Sequence, residues 1–303
     1  MNLGDLVVRK SYGGDVTFRV ENIVQNAAVI KGTDFRLLAD SPLEDLIQVP
    51  PTRITERGQQ AQIKATESLS KLRRDRQEQS QRSGETAAGA AAWPQSPKET
   101  AYFEVPGKVL HLDGDQLYLR KSLNLYEQLR IPAEGHHVHE SKMAETLYRL
   151  LPRVRPDIVV ITGHDGVLKQ SHTYDLYSLN SYKNSQNFVA AIQAAREYER
   201  NFDALTIVAG ACQSHFEALL GTGANFASSP GRILIHALDP VYIAAKAAFT
   251  SVRETVNLGD VLNHTISGSK GMGGIETRGS FRIGMPRLQN LSTLKVTPSV
   301  MQQ

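Results

Sequence analysis

The chain holds a single cysteine, Cys212, among 303 residues, and a single tryptophan, Trp93. One thiol excludes an intrachain disulfide and any multi-cysteine metal site, and it suits a reducing compartment. That thiol is therefore either packing or chemistry. Long apolar runs are also lacking. The most apolar stretches, Ile158 to Ile161 and Leu205 to Cys212, fall far short of the roughly 20 residues of a membrane span. The opening MNLGDLVVRK carries charges where a secretory signal needs an unbroken apolar core, so the expectation is a soluble cytoplasmic protein with no membrane partner. Excess charge is small as well: Lys and Arg total 34 against 31 Asp and Glu. The basic residues are scattered without interleaved aromatics, so nucleic acid is not an expected partner. What remains, 41% hydrophobic and 21% charged, is ordinary globular usage with ample material for a core.

Three regimes of patterning follow one another. Residues 1–50 alternate apolar and polar positions in short runs, such as Leu6 to Lys10 and Val16 to Val20, broken by Gly13-Gly14 and Lys31-Gly32. This predicts a small β-barrel of SH3-like size. Residues 51–100 turn to Gln, Ser, Arg and Glu, with ETAAGAAA before Trp93. The stretch 55–82 can form a polar helix, but nothing in it builds a core alone, so a flexible linker is expected. From 101 to 287 strands and helices alternate, and residues 288–303 read as a tail. Strands are expected at 108–112, 135–139, 157–161, 204–209 and 232–237, with helices between them, which predicts a mostly parallel α/β sheet flanked by helices.

In such sheets ligands bind beyond the carboxyl ends of the strands. The strand at 157–161 runs into Gly163-His164-Asp165-Gly166, and that at 204–209 into Gly210-Ala211-Cys212. A parallel sheet brings both ends to one edge. Cys212 is expected to begin a helix, where dipole and free N–H groups favour thiolate, with His164 across the cleft as ion-pair partner or acid toward a leaving amine. Either residue alone has a plain alternative as packing or loop; together they point to nucleophile and base.

VVITGHDG followed about fifty residues later by LTIVAGACQSH resembles the caspase-like cysteine peptidases. KVLHLDGD, AGACQSHFEALL, GANFASSP, IHALDPVYIAAK and GGIETRG, with the early GDLVVRKSY, are similar to the YabG sporulation peptidase family over nearly the whole chain except the linker and tail. The resemblance implies a caspase-like fold and a thiol protease of the developing spore's mother cell that processes spore coat and related proteins without a cofactor. It implies Cys212 as nucleophile and His164 as its partner. Where the caspase-like pattern has Gly directly after the histidine, this chain has Asp165 and then Gly166. Cys212 N–H can be one oxyanion donor, and Asp165 and Gly166 both stand open for the second. In caspase-like folds the loop after the first strand supplies the charged group of the P1 pocket, here His111-Leu112-Asp113-Gly114-Asp115. Asp113 and Asp115 would select arginine, although Asp115 also reads as an ordinary helix cap. Asp239 lies on the same edge and either shapes the substrate cleft or begins a helix. Arginines 73, 74, 76 and 82 in the linker suggest self-cleavage, for instance after Arg82.

The remaining signals are weaker. His136, His137 and His139 share a strand without Cys or carboxylate partners at ligand spacing, so no metal is expected. His215 follows the cysteine closely and either tunes the thiol or packs. His172 is a rival base, and the glycines at 271, 273 and 274 suggest a close approach of backbone or ligand. A glutaminase-like amidase, with His236 or His264 as base after a nucleophile elbow, and a non-catalytic coat scaffold are the alternatives.

Overall fold

The computed structural model describes residues 1–52, 54–90, 102–168 and 175–285. The expected tail lies outside these residues, as does His172.

The N-terminal segment forms an antiparallel sheet of β1 (Leu6–Arg9), β2 (Phe18–Val24), β3 (Ala27–Gly32), β4 (Leu38–Pro42) and β5 (Leu46–Gln48), in the order β4-β3-β2-β1-β5. Alternation places Val7, Phe18, Val20, Ile30 and Leu46 on the buried face.

The following segment differs from a flexible linker, because Glu56–Ala90 is one helix, α1. Its polar composition hides a narrow stripe: Ala61, Ala65, Ser68, Leu69 and Leu72 recur at helical spacing, and Leu72 is fully buried. Small residues let the helix lie close against α6 (Asp239–Phe249), where Asp75 meets Lys246 at 2.5 Å and the Tyr242 hydroxyl donates to Ala65 O at 3.2 Å. A stripe this narrow is invisible to composition, yet it suffices when a partner helix supplies the rest of the core.

The second unit is built on β6 (Phe103–Val105), β7 (Val109–Asp113), α2 (Gln116–Leu129), β8 (Ala133–His137), α3 (Met143–Val154), β9 (Ile158–Thr162), α4 (Ser185–Tyr198), β10 (Thr206–Ala209), α5 (Phe216–Thr222), β11 (Phe226–Ser228), α6, α7 (Leu258–Asn263), α8 (Gly268–Gly271), β12 (Met272–Gly274) and β13 (Arg282–Gly284). Six strands make the main sheet in the order β12-β11-β10-β9-β7-β8, parallel except for β12, while β13 pairs with β6. The central strands are buried on both faces, as their unbroken Val and Ile runs require. Val109, Ile158, Val160 and Val208 pack toward α2 and α6, whereas Leu110, Leu112, Val159, Ile161 and Ile207 pack toward α3 and α4. Among the described residues no helix is long and apolar enough to cross a membrane.

One expected strand is absent from the main sheet. Phe226–Ser228 takes the place next to β10, and the chain around 232–237 lies outside the main sheet, where His236 pairs with Phe35 of the N-terminal unit. The glycines near 272 serve backbone approach: Gly273 and Gly274 sit in an edge strand packed against Phe216 and Phe226.

Candidate active site

β9 and β10 lie side by side and parallel, with Ile161 opposite Ala209. His164 and Cys212 each stand three positions beyond that pair, on one edge of the sheet. Cys212 does not begin a helix. Gly210 at φ 108° and Gln213 at φ 56° fold the chain into a turn, and α5 starts only at Phe216 with His215 as its cap. The sulfur therefore has no helix N-terminus to favour its thiolate. The sulfur instead accepts from Ile235 N–H at 3.2 Å, and Cys212 N–H donates to the carbonyl of Arg36 at 3.3 Å. Burial pushes the thiol up to about 12, so it is protonated in this state.

His164 is held by its backbone. Its N–H donates to Glu140 Oε1 at 2.9 Å, and its carbonyl accepts from Asn184 Nδ2 at 2.8 Å. A side chain at Gly114 or at Gly163 would collide with the Glu140 carboxylate, so these two strand-end glycines make room for the group that fixes His164. Neither ring nitrogen has a hydrogen bond, and Nε2 lies 3.7 Å from Asp115 Oδ2. Burial pulls the imidazole down to about 3 against the opposing pull of Asp115, so it is neutral. The Tyr118 ring lies over His164 at 5.3 Å, and its buried phenol is close enough for charge on Cys212 to raise its proton affinity. A neutral thiol and a neutral imidazole on one edge can act as nucleophile and base once water or substrate changes their surroundings.

Asp165 is a buried hub. One carboxylate oxygen accepts from the N–H groups of Gly166 (2.9 Å) and Asn184 (2.8 Å), the other from the hydroxyls of Ser185 (2.5 Å) and Ser214 (3.0 Å). Gly166 N–H is thereby committed to that carboxylate, while the Asp165 backbone bridges to Leu37.

The edge is occupied by a residue that sequence reasoning missed. Arg36, from the β3–β4 connection, is fully buried and grips Asp113 with two bonds, Nη1 to Oδ1 at 3.0 Å and Nη2 to Oδ2 at 2.8 Å. Nε and Nη2 also donate to Ala237 O at 3.1 and 2.8 Å, and the guanidinium lies 5.0 Å over the Tyr118 ring. Burial opposes both charges, but each holds the other ionised: Asp113 sits far below the usual carboxylate range and Arg36 above its own. Thr162 Oγ1 and Asp115 N–H also donate to Asp113, and His111 Nε2 lies 3.5 Å from its Oδ2. The only hint in the sequence was a charged residue inside TDFRLL, which alternation alone leaves unexplained.

Other expected residues fall elsewhere. Asp115 caps α2, accepting from Leu117 and Tyr118 N–H, while its second oxygen faces His164. Asp239 opens α6 and is fully buried; it accepts from the N–H groups of His236, Ile266 and Ser267, and burial raises it to about 6. It supports the 235–237 segment from behind. His215 caps α5 through Ala218 N–H. His236 stands edge-on to Phe35 at 6.1 Å, and His264 sits on Asp75 at 3.0 Å. His136 pairs with Glu134 and His139 with Ser141, so the histidine run splits among local partners, and among the described residues no group of three or more ligating side chains could hold a metal.

A peptidase is the class that the matching family defines: the model of the YabG peptidase U57 family matches residues 2–286, and the chain belongs to that family. It is 46% identical over 293 residues, covering 95% of this chain and 99% of the relative, to the sporulation-specific protease YabG of Bacillus subtilis (strain 168). The chain is thus a sporulation protease by descent. No solved structure matches it.

Proposed function

We propose that the chain is a cysteine endopeptidase of caspase-like design, with Cys212 as nucleophile and His164 as acid and base, cleaving after arginine. The observation that carries this reading is Arg36, whose guanidinium rests on Asp113 while its carbonyl accepts from Cys212 N–H. A substrate arginine in that seat presents its carbonyl carbon to the thiol. Bidentate geometry favours Arg over Lys.

His164 takes the thiol proton, and sulfur bonds to the carbonyl carbon. The oxyanion is held by Cys212 N–H and, with Gly166 N–H committed elsewhere, by the N–H of Asp165. Collapse breaks the C–N bond as His164 gives its proton to the departing amine, leaving a thioester. Water then attacks the thioester, passing its proton through His164 back to sulfur, and the arginine-terminated product leaves. Asp115 steadies the imidazolium, and Asp239 holds the strand-like segment against which substrate backbone pairs.

Residues 1–50 would be an SH3-like unit and 101–287 the peptidase unit, acting in the mother cell on spore coat and related spore proteins. Self-cleavage after Arg82 requires α1 to unwind locally, since peptidases bind extended chain. The test is hydrolysis of an arginyl peptide amide, and of its lysyl and aspartyl counterparts, by wild type, Cys212→Ala, His164→Ala and His236→Ala. Loss in the first two variants alone, with arginine preferred, supports the reading. Equal cutting by all four overturns it, and loss in His236→Ala with His164→Ala active favours the amidase arrangement.

A further inference from the structure

The segment seated on the active edge belongs to the chain itself. Thr33–Leu37 is the tip of the β3–β4 hairpin, and it enters the cleft as an added strand. Arg36 N–H donates to Ile235 O at 3.2 Å, Ala237 N–H donates to Asp34 O at 2.8 Å, and Phe35 and His236 form an antiparallel bridge. One residue on, Leu37 bridges to Asp165 in parallel sense. These are the pairings that an extended peptide makes when it augments a strand edge. The tip therefore takes every feature a substrate would use: the pairing strand, the Asp113 pocket and the Cys212 N–H.

The tip is also built to stay. Gly32 N–H donates to Leu37 O at 2.9 Å, closing the loop at its base, and Leu37 N–H turns back to Phe35 O at 2.7 Å. The Tyr118 hydroxyl donates to Phe35 O at 2.7 Å and also to Gly32 O, while Lys121 Nζ donates to Thr33 O at 3.1 Å and pairs with Asp34 at 3.2 Å. Both flanks of the Arg36–Leu37 bond continue into the β3–β4 ladder, where Lys31 faces Leu38. A flexible substrate loses freedom on binding; this hairpin has lost it already.

We propose that the β3–β4 tip is an intramolecular, substrate-like inhibitor, with Arg36 filling the arginine pocket and closing the cleft to other peptides until the tip withdraws. This rests on the reading of Cys212 and Asp113 as nucleophile and pocket, and its test is independent of catalysis because the chain has one thiol. Purified full-length wild type, Arg36→Ala and Arg36→Lys are treated with iodoacetamide, and alkylation of Cys212 is followed by mass spectrometry. Leu147→Ala, whose buried side chain packs among α3 and α4 away from the tip, serves as a control for general loosening. The inhibitor predicts labelling at least tenfold faster in Arg36→Ala than in wild type, an intermediate rate in Arg36→Lys, and slowing of the Arg36→Ala reaction by added phenylalanyl-arginine amide. If Arg36→Ala fails to show a cooperative melt, the Arg36→Lys comparison decides alone. Labelling of the arginine variants no faster than wild type, or no faster than Leu147→Ala, overturns the inhibitor. Hydrolysis of the arginyl amide run in parallel judges the peptidase reading separately: a Cys212→Ala variant as active as wild type overturns that reading whatever the labelling shows.

Discussion

Arg36 and Asp113, from different units of the chain, meet through two parallel hydrogen bonds of 3.0 and 2.8 Å with neither side chain exposed. A buried pair of this kind is costly to break on one side and cheap to replace on both. Asp113→Asn is expected to lower stability by about 3–5 kcal/mol, because it strands a buried guanidinium. Arg36→Leu combined with Asp113→Asn is expected to recover most of that loss. Urea midpoints of the two single variants and the double variant form the cycle, and simple additivity would show that the two groups do not sense one another.

Asp115 does two jobs that can be separated. Asparagine caps a helix about as well as aspartate, so Asp115→Asn should leave the melting temperature nearly unchanged. It removes the charge 3.7 Å from His164 Nε2, and kcat should fall on the order of tenfold, the scale of one favourable contact of about 1.4 kcal/mol. A large stability loss with unchanged kcat would assign Asp115 to the cap alone.

Acid should weaken the folded state through His164. Its imidazole is held down to about 3 by burial, against about 6.5 when unfolded. A group with a lowered folded pKa contributes its full stability above 6.5, and that contribution drains away as pH falls toward 3. Measured against His164→Gln, which cancels the titration of every other group, wild type should lose about 1.4 kcal/mol per pH unit below 6.5. A difference that is flat between pH 7.5 and 5 would mean that the ring is solvated.

Gly163→Ala should disturb the site without altering either proposed reacting residue. The added methyl meets the Glu140 carboxylate that anchors His164 N–H. The expected outcome is a loss of at least tenfold in kcat with KM little changed, and partial rescue by Glu140→Ala, which clears the space. Activity equal to wild type would show that Glu140 moves freely.

Helix α1 should prove part of the core. Leu72→Ala is expected to cost about 2–5 kcal/mol in urea unfolding, the usual range for a fully buried leucine. An effect near zero would mean that α1 is only a tether.

How much of this was legible in the sequence depends on range. Unbroken branched runs such as Ile158 to Ile161 announce strands because both faces are buried, and parallel strands end on one edge; the placement of His164 and Cys212 on that edge followed from that. The 232–237 stretch has the same apolar pattern as a core strand, yet it pairs with Phe35, since pattern reports burial but not the identity of the neighbour. Cys212 lies in a turn because Gly210 and Gln213 adopt positive φ, and only the glycine could have hinted at it. Arg36 was beyond reach, because a lone arginine in a hairpin tip declares no partner until the carboxylate of Asp113 is brought to it.

The covalent joint between the hairpin and the unit that carries Asp113 sets how strong the seated tip must be. A tethered segment meets its own cleft at an effective concentration in the millimolar range, whatever the dilution of the protein. A tip of only modest intrinsic affinity therefore keeps the cleft filled in a crowded cell and in a dilute assay alike. Severing the chain between β4 and β6 removes that tether, and the tip then stays seated only through noncovalent contacts, those of β5 with β1 and of α1 with α6 among them.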